Sequence, residues 1–239
     1  MRSPPRGSGL SKLVGILADV HGDLQALDAA LARLRKMGCD AILCAGDCID
    51  FEVFGEEVIQ RLKAEKAICI RGNHDRWALR PDSPEARAFT AGVELSREAL
   101  AWLAALPAHW SAELEGVRVA MYHACPDNDM EGIQKETTPP ELRRRLLEQA
   151  RADVLIVGHT HDAFVLRAGR GRIVNPGACC SKAYAFKLSG SLLVPDKFRP
   201  PTFGVLELPE MRFKVYRAVD GGRVFGTSPD RPSIRRAGG

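Results

Sequence analysis

The segment Ile16-Leu17-Ala18-Asp19-Val20-His21-Gly22-Asp23 carries an apolar run, Leu13 to Ala18, into a carboxylate, an imidazole and a glycine. Alternate residues at a strand end point the same way, so Asp19 and His21 are expected to face one point in space. A carboxylate oxygen and an imidazole nitrogen converging at a strand tip begin a divalent metal site. A surface turn would use the same residue types, so the segment needs partners elsewhere in the chain.

The chain of 239 residues is long for one domain and short for two. With 45% apolar and 27% charged residues it has the composition of a soluble globular protein, read here as one compact domain over 12–225. Residues 1–11, rich in Pro, Gly, Ser and Arg, read as a disordered lead-in and not a secretory signal. Residues 226–239 read as a flexible basic tail. The formal charge of +4 permits an anionic substrate without demanding one. Arg143-Arg144-Arg145 is read as a solvated face, and nucleic acid is not an expected partner. The seven cysteines are odd in number and form no Cys-x-x-Cys pair. They imply a reducing compartment, and the chain is read as cytoplasmic. No apolar run approaches the roughly 18 residues of a membrane span.

Three consecutive units share one order: an apolar strand, polar residues at its tip, then a helix. Asp23 can cap a helix whose Leu24, Leu27, Leu31 and Leu34 form one face, with Gly38 at its end. Ala41 to Ala45 reads as a buried strand ending in Gly46-Asp47, and Glu52 to Lys66 as helix. Ala67 to Ile70 reads as a third strand, ending in Gly72-Asn73-His74-Asp75. Alternating strands and helices imply parallel pairing, with a site at the carboxyl ends of the strands. Ser96 to Leu106 reads as a capped helix, and Ser111 to Leu114 with Val117 to Tyr122 as a hairpin leading to His123. A helix over Glu141 to Ala150 precedes the strand Asp153 to Val157, whose tip is Gly158-His159-Thr160-His161. Further strands are expected at 163–167, 172–174, 203–208 and 212–219, and this antiparallel half is expected to form a second sheet layer.

The tips together hold Asp19, His21, Asp47, Asn73, His74, His123, His159 and His161, including five of the six histidines. A lone histidine is usually a satisfied core residue, but five at independent strand ends are not explained that way. The mixed oxygen and nitrogen donors suit Mn, Fe, Zn or Ni rather than Ca. They outnumber what one ion needs, which implies two divalent ions sharing a carboxylate, an arrangement used in phosphoryl transfer.

Asp19-x-His21, Gly46-Asp47, Gly72-Asn73-His74-Asp75, His123 and Gly158-His159-Thr160-His161 resemble, in order and spacing, the motif set of the calcineurin-like metallophosphoesterase superfamily. Asn175-Pro176-Gly177 adds a likeness to its small bacterial and archaeal phosphodiesterase branch. The resemblance implies an α/β fold: a four-layer α/β/β/α sandwich of two mixed β-sheets flanked by helices, with a dinuclear metal site at strand C-termini. It also implies that Asp19, His21 and His161 hold one metal, Asn73, His123 and His159 the other, and that Asp47 bridges. His74 would be the general acid or transition-state stabiliser, with Asp75 orienting its ring. Mn is the metal expected first.

The implied reaction is hydrolysis of a small phosphoester or nucleotide, by in-line attack of a hydroxide shared between the metals. Two departures stand out. Ala124 follows His123 where the family often has Gly, and Cys48-Ile49-Asp50-Phe51 follows Asp47 in place of Asp-Arg-Gly. The second lowers the expectation of serine/threonine phosphatase or diadenosine tetraphosphatase activity. Competing readings are a non-enzymatic scaffold of the same fold, which need not keep His74 and a full ligand set, and a nuclease, which would call for a basic track. Arg71 and Arg76 are expected to support the site from behind rather than clamp phosphate. The loops 76–92 and 126–140 are expected to overhang its mouth.

Overall fold

The computed structural model describes residues 12–50, 52–80, 82–84, 94–182, 184–189 and 192–226. The lead-in over 1–11, the segment 85–93 and nearly all of the basic tail lie outside the described residues.

Two sheets face each other. The first has the order β13 (Arg223–Gly226), β12 (Arg212–Arg217), β11 (Thr202–Leu208), β1 (Lys12–Leu17), β2 (Ala41–Cys44), β3 (Ile68–Cys69). The second has the order β4 (His109–Leu114), β5 (Val117–Tyr122), β6 (Val154–Ile156), β8 (Gly171–Asn175), β7 (Phe164–Ala168). β9 (Tyr184–Ser189) and β10 (Leu192–Phe198) pair with each other as a separate hairpin. Both main sheets mix parallel and antiparallel pairs.

The period of two in the strands sorts side chains into three apolar layers. Between the sheets lie Val14, Ile16, Leu43 and Leu206 from one side and Val119, Met121, Ile156 and Val174 from the other. Their neighbours in sequence turn outward. Leu17, Cys44 and Val205 pack against α1 (Leu24–Lys36), α2 (Gly55–Ala64) and α4 (Arg97–Ala105). Ala120, Leu155 and Ile173 pack against Leu146 and Leu147 of α5 (Pro140–Gln149). The result is the expected α/β/β/α sandwich. Gly15 is the one gap in the β1 pattern, and a Cβ there would lie 2.8 Å from Leu34 Cδ2, so the glycine seats α1 against the sheet.

The helix caps follow their sequence signals. Asp23 Oδ1 accepts from the Ala26 N–H at 2.8 Å, and Ser96 Oγ from the Ala99 N–H at 3.1 Å. The Glu115-Gly116 hairpin turn takes positive φ at both residues, as a type I′ turn requires. α2 starts at Gly55, later than expected, because the preceding residues form an irregular turn in which Asp50 and Glu52 bridge.

The last third of the chain differs from the expected partition. β11 and β12 extend the first sheet across β1 rather than building the second layer. The second sheet is parallel through β5, β6 and β8: α5 supplies the crossover from β5 to β6, and β7 returns the chain antiparallel before β8 pairs with β6. The chain after Gly221-Gly222 adds β13 to the sheet edge, so Gly226 belongs to a strand and not to a tail.

Candidate metal centre

The site residues lie just beyond the strands rather than within them. β1 ends at Leu17, and Asp19 and His21 follow with φ of 53° and 48°. Asp47, His159 and His161 also take positive φ, at 53°, 65° and 57°. Strand alternation therefore does not aim Asp19 and His21. Five left-handed residues turn the tips inward instead, a backbone cost that surrounding contacts must hold in place. Those contacts are present: Asp19 N–H donates to Gly46 O, His21 N–H to Asp47 O, and Gly158 N–H to His123 O.

Glycines allow the tips to meet. A Cβ on Gly72 would lie 2.1 Å from Asp47 Oδ1 and 2.5 Å from Asp47 N. A Cβ on Gly158 would lie 2.9 Å from Asp19 Oδ2. These are sterically closed positions, which accounts for the Gly before Asn73 and before His159.

The side chains form two adjoining donor sets. In one, ligand atoms of Asp19, His21 and His161 lie within 4.8 Å of one another. His21 Nε2 stands 3.1 Å from His161 Nε2, and His161 Nε2 stands 3.8 Å from Asp19 Oδ1. In the other, Asp47, His123 and His159 meet the same limit. His123 Nε2 is 3.2 Å from Asp47 Oδ2 and 2.9 Å from Asn73 Oδ1, and His159 Nδ1 is 3.0 Å from Asn73 Oδ1. Asp47 Oδ2 also lies 3.9 Å from His21 Nε2, so its carboxylate stands between the sets. The far nitrogens of the second set are held by carbonyls: His123 Nδ1 by Ala45 O at 2.7 Å, His159 Nε2 by Met130 O at 3.0 Å. Such outer contacts fix which nitrogen faces inward.

The donors fit divalent cations. Asp19 Oδ2 is buried with no hydrogen-bond partner among the described residues, and imidazole nitrogens face one another at the centre. Burying polar atoms this way is costly unless something occupies the space between them. The charges respond accordingly. Burial drives Asp19 up and His21 down. Burial and the His123 charge take His159 down to about 4. For His123, burial opposes the charge, but Asp47 prevails and lifts it to about 10.

His74 adjoins both sets, its ring 4.8 Å from that of His21, and its backbone N–H donates to Asp47 Oδ1 at 2.9 Å. Its Nδ1 lies 2.7 Å from Oδ2 of buried Asp50. Burial works against its charge, but Asp47 and the Asp50 hydrogen bond outweigh that and raise its pKa.

The carboxylate on the His74 ring is therefore Asp50, not the expected Asp75. Asp75 Oδ2 accepts from the Gly72 N–H at 2.9 Å, and its Oδ1 from the Cys48 N–H at 2.9 Å. It opens α3 (Asn73–Ala78) and ties that helix to the Asp47 loop, so its lone pairs are spent on backbone. Asp50 had a signal in the sequence, a second acid three residues after Asp47. The carbonyls of Ala45 and Met130 had none, since every residue carries one. Asn175 Nδ2 donates to Gly158 O at 2.8 Å and steadies the turn before His159. Arg71 and Arg76 border a hollow beside His123 and are engaged there: Arg71 donates to Ala104 O, and Arg76 makes two hydrogen bonds to Asp129. All seven cysteines are free thiols.

A buried set of aspartates, histidines and an asparagine at the strand ends of a double-sheet sandwich defines a candidate divalent-metal centre. The sequence profile of the calcineurin-like phosphoesterase superfamily domain matches residues 13–196, and the chain belongs to that superfamily. It is 25% identical over 210 residues to an uncharacterized protein of Methanocaldococcus jannaschii, covering 82% of this chain and 80% of that one. Among solved structures it is similar to a metallophosphoesterase from Sphaerobacter thermophilus, with TM-score 0.64, 21% identity, and coverage of 87% and 88% of the two chains. It is also similar to a hypothetical protein from Pyrococcus horikoshii, with TM-score 0.67, 17% identity, and coverage of 86% and 87%. Among the described residues no helix is long and apolar enough to cross a membrane.

Proposed function

We propose that the chain is a dinuclear metal-dependent phosphodiesterase. The observation that carries this reading is the pair of donor sets meeting at Asp47, with His74 directly beside them. Asp19, His21 and His161 would hold one ion, Asn73, His123 and His159 the other, and Asp47 both, with Mn the first metal to try. When bound, two such ions activate water and neutralise charge on phosphoryl oxygens. The protein groups do the rest. His74, its pKa raised against the effect of burial by Asp47 and by the Asp50 hydrogen bond, would offset charge on the phosphoryl group and deliver a proton to the departing alkoxide. Asp50 accepts from Nδ1–H, which orients the ring and leaves Nε2–H as the nitrogen to face the substrate.

A diester is favoured over a monoester by charge. Among the described residues, Arg71 is engaged with Ala104 and Arg76 with Asp129, which leaves these two guanidinium groups less able to meet the second negative charge of a monoester. The free thiols agree with a reducing, cytoplasmic setting. The test is hydrolysis of bis-p-nitrophenyl phosphate by the Mn²⁺-loaded protein, against p-nitrophenyl phosphate. Faster turnover of the diester is expected. Metal-loaded protein inert on both esters would favour the scaffold reading.

A further inference from the structure

A hollow of about 350 Å³ opens against His161, a size within the range of small-ligand sites. Phe225 and Val224 of β13 form one wall, and Thr202 lies among its polar lining. Ala163 and Ala178 keep parts of its surface shallow. Its charged side chains are Lys135 and Arg199 against Glu136 and Asp162, two of each sign, and Arg199 lies 3.6 Å from Asp162. The charges cancel, so a further phosphate gains little there. An uncharged group with a flat aromatic face and a hydrogen-bonding edge fits better. Phe225 is half-buried on an edge strand and also borders a second hollow shared with Lys135 and Ala163. Partly packed against the inter-sheet core, its ring borders the hollow and offers a stacking surface of the kind aromatic side chains present to nucleobases.

The hollow on the opposite side, of about 330 Å³ against His123, is a poorer candidate. Apart from His123, its two rings, His109 and Tyr122, already stack on each other at 5.1 Å with an 8° interplanar angle.

Resting on the phosphodiesterase reading, we propose that the hollow beside His161 receives the nucleoside substituent of a nucleotide diester, with Phe225 as its stacking surface and specificity-determining residue.

Two measurements test this. The first is saturation-transfer NMR of thymidine and adenosine with the protein as purified, with Phe225→Ala and with Phe225→Tyr. The base protons should show transfer with the original chain and Phe225→Tyr, and binding should weaken about tenfold in Phe225→Ala. The second compares kcat/KM for the p-nitrophenyl ester of thymidine 5′-phosphate and for methyl p-nitrophenyl phosphate, which share a leaving group. The original chain should prefer the nucleoside ester by about tenfold, and the ratio should fall towards unity in Phe225→Ala. A ratio that Phe225→Ala leaves unchanged, or nucleoside binding indifferent to that substitution, overturns the assignment. Nucleoside binding that depends on Phe225 with no turnover of either ester upholds the pocket and overturns the hydrolase reading instead.

Discussion

His74 and Asp50 are the pair on which the proposed chemistry turns. Replacing His74 with alanine should lower kcat by roughly 10²–10⁴ while both metals stay bound, measured by steady-state kinetics and metal analysis together. The experiment has a real alternative, because ligand atoms of His21, Asp47 and His74 also lie within 4.8 Å of one another. Loss of an ion in His74→Ala would make it a ligand. Asp50→Asn keeps the shape but removes the charge that holds the His74 proton. It should cost about tenfold to a hundredfold in kcat, shift the acidic preference of His74 downward in the pH profile, and leave metal content intact. His123 offers a third check. At about 10 its metal-free pKa leaves it protonated at pH 7, whereas a metal ligand must be neutral. Metal uptake at pH 7 should therefore release a proton, and affinity should fall as pH falls. Calorimetry in buffers of differing ionisation enthalpy reads this directly, and uptake without proton release would contradict it.

At the scale of elements, the site depends on close backbone approach between tips. Gly72→Ala places a methyl group against Asp47 Oδ1 and N, so the α3 tip and the Asp47 loop must part. The expected result is loss of bound metal with modest change in the melting temperature of the metal-free protein, since neither tip contributes to the inter-sheet core. Retention of two ions would show that the loops can yield. This is also where the legibility of the sequence ends. The strands, the helix caps and the parallel β1-β2-β3 unit are readable, because apolar runs and Asp23 or Ser96 carry their meaning locally. The aim of Asp19 and His21 is not. It comes from left-handed backbone that tertiary contacts enforce, and no local pattern encodes it. The partner of His74 was misread for a similar reason. Asp75 is adjacent in sequence, but the first turn of α3 points it back at Gly72 and the Asp47 loop. The placement of β11 and β12 depended on which open edge of β1 they would join, a choice that alternation alone does not make.

For the whole molecule, the two sheets meet through one apolar layer, and the donor sets sit where their strand ends converge. Asp19 and Asp47 come from the first sheet, with Asn73 following it, while His123, His159 and His161 follow strands of the second. The centre therefore spans the sandwich and should stabilise the packing of one sheet on the other. The central claim is that two ions share Asp47. Metal content per chain after Mn²⁺ loading and gel filtration tests it most directly, with Asp47→Ala alongside the original chain. Two ions per original chain and markedly fewer in Asp47→Ala are expected. One ion in the original chain, or two retained in the variant, would contradict the account.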